Sequence, residues 1–211
     1  MLKYQQEKNS HFNTPLNTVI DELKKLMNKL VTKERKKHIL GVANFSIKIA
    51  ERLGLSPEKR QKLLIVAFAH DLFRDVDVNK LIKMSKAFGI SPSFIELKKP
   101  ILLHSKVAAE FLKIRFKIND EEILEAIKYH TSGHKDMGLL AKIIFVADSL
   151  EESREYPGIE ELRKLIFEDF TKGFFEILKN KISYVIANNL IMLPDLVELW
   201  NETILKGVEK V

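Results

Sequence analysis

The sequence predicts an all-α protein, a single-domain helical bundle, and three observations predict it. Apolar residues recur at three- and four-residue intervals through most of the 211-residue chain. Capping residues, Pro and Gly divide that pattern into helix-length segments. No run of alternating, β-branched residues bounded by turn signals occurs, so sheet content is expected to be negligible. With 45% apolar and 30% charged residues the chain has the means to bury one sizeable core. No Gly/Ser-rich or Pro-rich linker, internal repeat or low-complexity tract divides it.

Taken in order, Thr14-Pro15 opens a first amphipathic helix with Leu16, Val19, Ile20, Leu23, Leu26, Met27 and Leu30 on one face, ending near Val31. Thr32 caps a second, from Lys33 to about Leu53, with a stripe at Ile39, Val42, Ala43, Ile47 and Ala50 and Gly54 as stop. Ser56-Pro57-Glu58 starts a third, which runs to His70 and Asp71. Asp77 caps a short helix through Ala87. Ser91-Pro92 and Pro100 mark turns around a short apolar piece, Phe94 to Leu97. Leu102 to Phe116 reads as helix. Asn119 with Glu122 resembles a capping box opening the helix that carries Ala126, Ile127 and His130. Thr131-Ser132-Gly133-His134 breaks it, and Leu139 to Glu151 follows. Closing helices are expected at about 159–165, 167–188 and 194–206.

Composition narrows the function classes. Net charge is +6, with Lys spread along most helices rather than gathered on one face. That spread favours an anionic small substrate over a nucleic-acid platform. The absence of Cys agrees with a reducing compartment and excludes disulfides, thiolate metal sites and a Cys nucleophile. Met1 to Asn13 lacks the apolar segment of a signal peptide, and no apolar stretch reaches the roughly 18 residues that span a bilayer. A soluble, cytoplasmic protein with no membrane partner is expected.

The candidate chemistry centres on Ala69-His70-Asp71, where the apolar run from Leu63 ends in two polar groups. Burying an imidazole beside a carboxylate costs several kcal/mol unless something pairs with both, and a metal ion does so. A second apolar run, Ile143 to Ala147, ends in Asp148, and His38, His104 and His130 sit in helical segments. Singly, each has a plainer reading. A helical His is ordinarily a hydrogen-bonded core or surface residue, and a buried Asp pairs with a base such as Lys142 or Arg74. Jointly they form a set of N and O donors suited to a divalent metal. His11, in a polar tail, and His134, in a loop, are expected to face solvent.

These residues carry a family resemblance. His38, His70-Asp71 and Asp148 resemble the signature of the HD-domain metal-dependent phosphohydrolases, an all-helical superfamily. The blocks around them are similar in order and spacing to the YqeK-type symmetrical bis(5'-nucleosyl)-tetraphosphatases. They are His38 to Val42, Leu103-His104, Ala126 to Gly133, Lys142 to Asp148 and Tyr156 to Arg163. The similarity covers about 33–201, so 1–31 is expected to be an N-terminal tail and accessory helix and 32–208 the HD-type domain.

The resemblance implies a bundle holding two divalent metal ions, usually iron, with manganese or zinc also suited to the donor set. It implies symmetrical cleavage of diadenosine tetraphosphate into two ADP, by attack of a metal-bridging hydroxide. By position, His38, His70, Asp71 and Asp148 hold the first metal, and His104 and His130 the second with Asp71 bridging. Asp71 and Arg74 carry the catalytic expectation. Arg74, Thr131, Gly133, Lys142 and Arg154 are the candidate substrate contacts; for Arg74 a salt bridge with Asp75 or Asp77 is an equal reading. Ser105-Lys106 and Glu152-Ser153 depart from the family pattern. Another HD-domain nucleotide phosphohydrolase, or a non-catalytic nucleotide-binding module, are the alternatives. The first helix and Leu190 to Leu193 suit either a homodimer contact or core packing.

Overall fold

A computed structural model describes residues 15–207, and among these there are eleven α-helices and no strand. They are α1 (Leu16–Leu30), α2 (Lys33–Arg52), α3 (Pro57–Ala69), α4 (Val78–Ala87), α5 (Phe94–Lys98), α6 (Leu103–Phe116), α7 (Glu121–Lys128), α8 (Leu139–Leu150), α9 (Ile159–Glu168), α10 (Phe170–Ala187) and α11 (Pro194–Lys206). A single 3₁₀ turn, Pro100–Leu102, leads into α6. His11 and Thr14 lie outside the described residues. No helix among those described is long and apolar enough to cross a membrane.

Helix α3 is the axis. Leu63 and Ile65 to Ala69 are all buried, because α3 packs against α1, α2, α6, α7 and α8. A helix apolar on most faces has to lie inside other helices, and here that places its C-terminal end, His70 and Asp71, at the centre of the molecule. Local signals fix where it starts: Ser56 accepts from the Lys59 amide at 3.3 Å, with Pro57 in the first turn. The equally apolar α8 lies against α2, α3 and α7 and carries Asp148 into the same region.

Around this centre, α1 covers α3 with Val19, Ile20, Leu23 and Met27, and α4 packs on α6. Helices α9 and α10 close the remaining side over α8, and α11 packs against α10. Thr32 caps α2 through the Arg35 amide, as expected. The buried face of α2 includes Phe45, Ser46 and Ile49, with Ile47 only half-buried. Gly54, with φ of +68°, takes the left-handed turn that ends α2, and the Leu55 amide returns to the Ala50 carbonyl.

Two expected starts differ. The short apolar piece from Phe94, to which the pattern assigns no element, is a helix, because Ser93 and Glu96 form a reciprocal capping box, with the Ser93 amide 2.7 Å from Glu96 Oε2. Helix α7 is capped by Asp120, not Asn119: the Asp120 carboxylate accepts from the Ile123 amide, and Asn119 bonds only the Lys117 carbonyl. Helix α7 also stops at Lys128, so His130 lies in the turn beyond it.

Candidate metal centre

The six expected donors converge, although they come from α2, α6, α8 and the ends of α3 and α7. His38, His70 and Asp148 each offer an atom within 4.8 Å of the others, and so do His70, Asp71 and His130. His104 joins them, with Nε2 3.2 Å from Asp71 Oδ1 and 3.2 Å from His130 Nε2. All four imidazoles are at least nine-tenths buried, and His70 is wholly so.

Backbone geometry aims the rings. The Nδ1 atoms of His70, His104 and His130 lie 2.7, 2.7 and 2.8 Å from the carbonyl oxygens of Ala67, Ile101 and Ile127, each three residues earlier. A carbonyl only accepts, so each Nδ1 carries the proton and each Nε2 presents a lone pair to the centre. His38 is anchored instead by a carboxylate, its Nδ1 3.0 Å from Glu151 Oε1. A ring nitrogen tied to a carbonyl or carboxylate, with the other nitrogen free, is how metal-ligating histidines are held.

What faces those lone pairs is the test of fit. Among the described residues His70 Nε2 is buried without a hydrogen-bond partner, His38 Nε2 is buried 3.1 Å from Asp148 Oδ1, and His104 Nε2 and His130 Nε2 face one another as two acceptors. Only the Thr131 hydroxyl, 3.0 Å from His130 Nε2, offers one of them a proton. Unsatisfied buried acceptors cost about 1–3 kcal/mol each, and divalent cations remove that cost. Asp71 is placed to serve two of them. Its Oδ1 lies toward His104 and His130, at 3.2 and 3.5 Å, and its Oδ2 toward His38 and His70, at 3.7 and 3.8 Å.

The electrostatics agree. Burial drives the His70 imidazole down to about 4, against the pull of Asp71, so it is neutral at pH 7. Burial lowers His104 in the same direction. Burial raises Asp71, but the imidazoles of His70, His104 and His130 outweigh it and hold the carboxyl well below its ordinary range. Asp148 is likewise held down against its burial, by the His38 hydrogen bond and the Lys181 charge. His38 differs: burial opposes its charge, yet hydrogen bonds to Asp148 and Glu151 raise it to about 9. A metal arriving there has to displace that proton.

The candidate substrate contacts separate. Arg74 forms no ion pair among the described residues, since Asp75 is taken by Thr32 and Arg35 and Asp77 caps α4. It lines a cavity of about 300 Å³ together with His104, Thr131 and Lys181. Arg154 lines a second cavity, of about 670 Å³, and donates to the Asp148 backbone oxygen and Oδ1 at 2.9 and 3.0 Å. Lys142 stands apart. Its Nζ lies over the Phe174 ring and it lines a different cavity with Asp136 and Glu202. Six residues turn a helix by about 600°, which leaves it about 120° away from Asp148. The Gly133 amide is already engaged, donating to the Tyr129 carbonyl at 2.7 Å, and its φ of +69° and the nearby Leu199 side chain leave no room for a Cβ. His134 is half-buried and stacked on Tyr129, 4.4 Å between ring centres, rather than solvent-facing.

Sequence reasoning missed three residues at the centre. Arg35 reaches Asp71 Oδ2 at 2.5 Å and Asp75 at 3.3 Å. Glu151 holds His38 and is itself held by the Ser153 amide and hydroxyl. Lys181 of α10 lines both cavities. The residues that depart from the family pattern acquire partners here: Ser153 binds Glu151, Lys106 pairs with Glu96 at 2.7 Å, and Glu152 pairs with Lys48.

An all-helical fold that gathers imidazoles and carboxylates from the ends of buried helices is the arrangement of a metal-dependent hydrolase with a His-Asp centre. The HD domain family profile matches residues 35–153. A symmetrical bis(5'-nucleosyl)-tetraphosphatase of Bacillus subtilis is 35% identical over 167 residues, covering 78% of this chain and 87% of that one. One from Halalkalibacterium halodurans is 30% identical, covering 83% and 92%. The crystal structure of a predicted HD superfamily hydrolase involved in NAD metabolism, from Clostridium acetobutylicum, superposes with a TM-score of 0.80 at 29% identity, covering 89% and 97%. The chain belongs to the HD-domain family, in the branch of these tetraphosphatases.

Proposed function

We propose that this protein hydrolyses diadenosine tetraphosphate symmetrically, adding water across the central phosphoanhydride to give two ADP. The observation that carries the reading is the buried cluster of converging imidazole Nε2 atoms and carboxylates, beside cavities lined by Arg74, Lys181 and Arg154, in a chain similar to enzymes named for this reaction over most of its length. His38, His70, Asp71 and Asp148 would hold one divalent ion and His104 and His130 a second, with Asp71 between them. Iron is the metal implied by the resemblance; manganese and zinc suit the same donors. When bound, such ions neutralise phosphate charge and make a water nucleophilic near neutral pH.

The chain's own groups do the rest. Arg74, without an ion pair among the described residues and on the cavity wall beside His104, is available to clamp phosphate. The Thr131 hydroxyl, beside His130 Nε2 and on the same wall, orients an oxygen at the centre. Arg154 is drawn to Asp148 and so stands at the rim of the second cavity. In this reading water is the nucleophile, activated by the bound ions, and no side-chain adduct is needed. The test is chromatography of the products formed from diadenosine tetraphosphate by anaerobically prepared, iron-loaded protein. ADP alone is expected. AMP with ATP, or orthophosphate release, would contradict it and point to another phosphohydrolase; tight nucleotide binding without turnover would point to a regulatory module.

A further inference from the structure

Helix α10 closes the fold over α8, and its one half-buried basic residue on that side is Lys181. The ammonium group sits 4.1 Å from the centre of the Phe145 ring and forms no ion pair among the described residues. A cation held against an aromatic face is attracted by the ring's quadrupole and keeps its N–H donors free for another partner. Its position is what singles it out. Lys181, with Tyr184 one turn on, forms the wall common to the 300 Å³ and 670 Å³ cavities. His104 lines the first of these and Asp148 the second, so the metal-ligand cluster lies along the same boundary. Arg74 and Lys99 continue the basic lining on one side and Arg154 on the other.

A ligand that fits this arrangement has negative charge at its middle and a bulkier group at each end. We propose that Lys181 is a substrate-binding residue, which donates to the polyphosphate where it passes from one cavity to the other, so that one nucleoside half lies on each side of the Lys181–Tyr184 wall. The inference rests on the proposed function and assigns within it the group that centres a two-ended substrate on the donor cluster. A lysine contact of this kind is a charge-assisted hydrogen bond, whose removal weakens binding about tenfold or more.

The test uses the full chain, metal-loaded. Lys181→Met keeps the apolar stem over Phe145 and removes the charge; Lys181→Arg keeps the charge, and Lys181→Gln is a second neutral variant. Titration calorimetry with ADP and steady-state turnover of diadenosine tetraphosphate are measured beside metal content. Expected in Lys181→Met are an ADP Kd and a KM raised about tenfold or more, with kcat changed far less, metal content unchanged, and most of the loss restored in Lys181→Arg. Unchanged Kd and KM would overturn the proposal. So would loss of metal from the neutral variants, which would place the lysine in the electrostatics of Asp148 instead. Wild-type protein that fails to split diadenosine tetraphosphate would contradict the proposed function, and the ADP comparison would still decide the role of Lys181.

Discussion

Glu151 and Gly41 show how tightly single residues are fitted around the donors. The Glu151 carboxylate fixes the His38 ring, and Gly41, one turn along α2 from His38, leaves the room it occupies: a Cβ there would strike Glu151 Oε2. Because Ser153 pins that carboxylate from the other side, it has no easy retreat. Gly41→Ala ought therefore to weaken metal binding although Ala is the better helix former. The expected loss is about 10- to 100-fold for this variant and for Glu151→Gln, as for outer partners of metal-binding histidines, read by competition with a chelator. Unchanged affinity in both would remove Glu151 from the account.

Titration makes a second prediction at this scale. His38 is raised from 6.5 to about 9, so in metal-free protein its stabilisation is complete below 6.5 and is lost as pH rises toward 9. His70 is lowered from 6.5 to about 4, so between those values the unfolded chain takes up a proton that the folded chain refuses, and stability falls as pH drops. Metal-free protein is expected to melt highest near pH 6.5, with thermal denaturation in chelator declining on both sides; a flat profile would contradict the assignment. His70-Asp71 and Asp148 stood out because each closes an apolar run, whereas His38, His104 and His130 were picked out by the joint pattern and the family resemblance. Arg35, Glu151 and Lys181 were not, since a charged residue near other charged residues gives no local sign of a partner up to 113 residues away.

Helix ends carried much of the prediction. Thr32, Ser56 and Asp77 were readable as caps, and each side chain accepts the amide expected of it. Asn119 and Asp120 are adjacent residues of similar cap preference, and pattern could not choose between them. Tertiary contact chose: Lys62 on α3 reaches Asp120 Oδ2 at 2.7 Å. Asp120→Ala is expected to cost about 1–2 kcal/mol in urea denaturation, and Asn119→Ala less than about 0.5 kcal/mol; equal effects would refute the assigned cap. The 100° advance per residue also explains the misplaced Lys142, because proximity in sequence to Asp148 is not proximity on a helix face.

For the molecule as a whole, burial of α3 and α8 delivers polar helix ends to one point, and α10 with α11 builds the groove beside it. The all-helical class followed from periodicity alone, whereas the groove depends on how distant helices meet, which no local pattern encodes. The central claim is that the six converging side chains hold two ions. It is tested most directly by counting metal per chain in anaerobically purified wild type, Asp148→Ala and His104→Ala by mass spectrometry. The account predicts about two in the wild type and about one in each variant, with the folded helical signal intact; a wild type with none, or variants that still hold two, would contradict it.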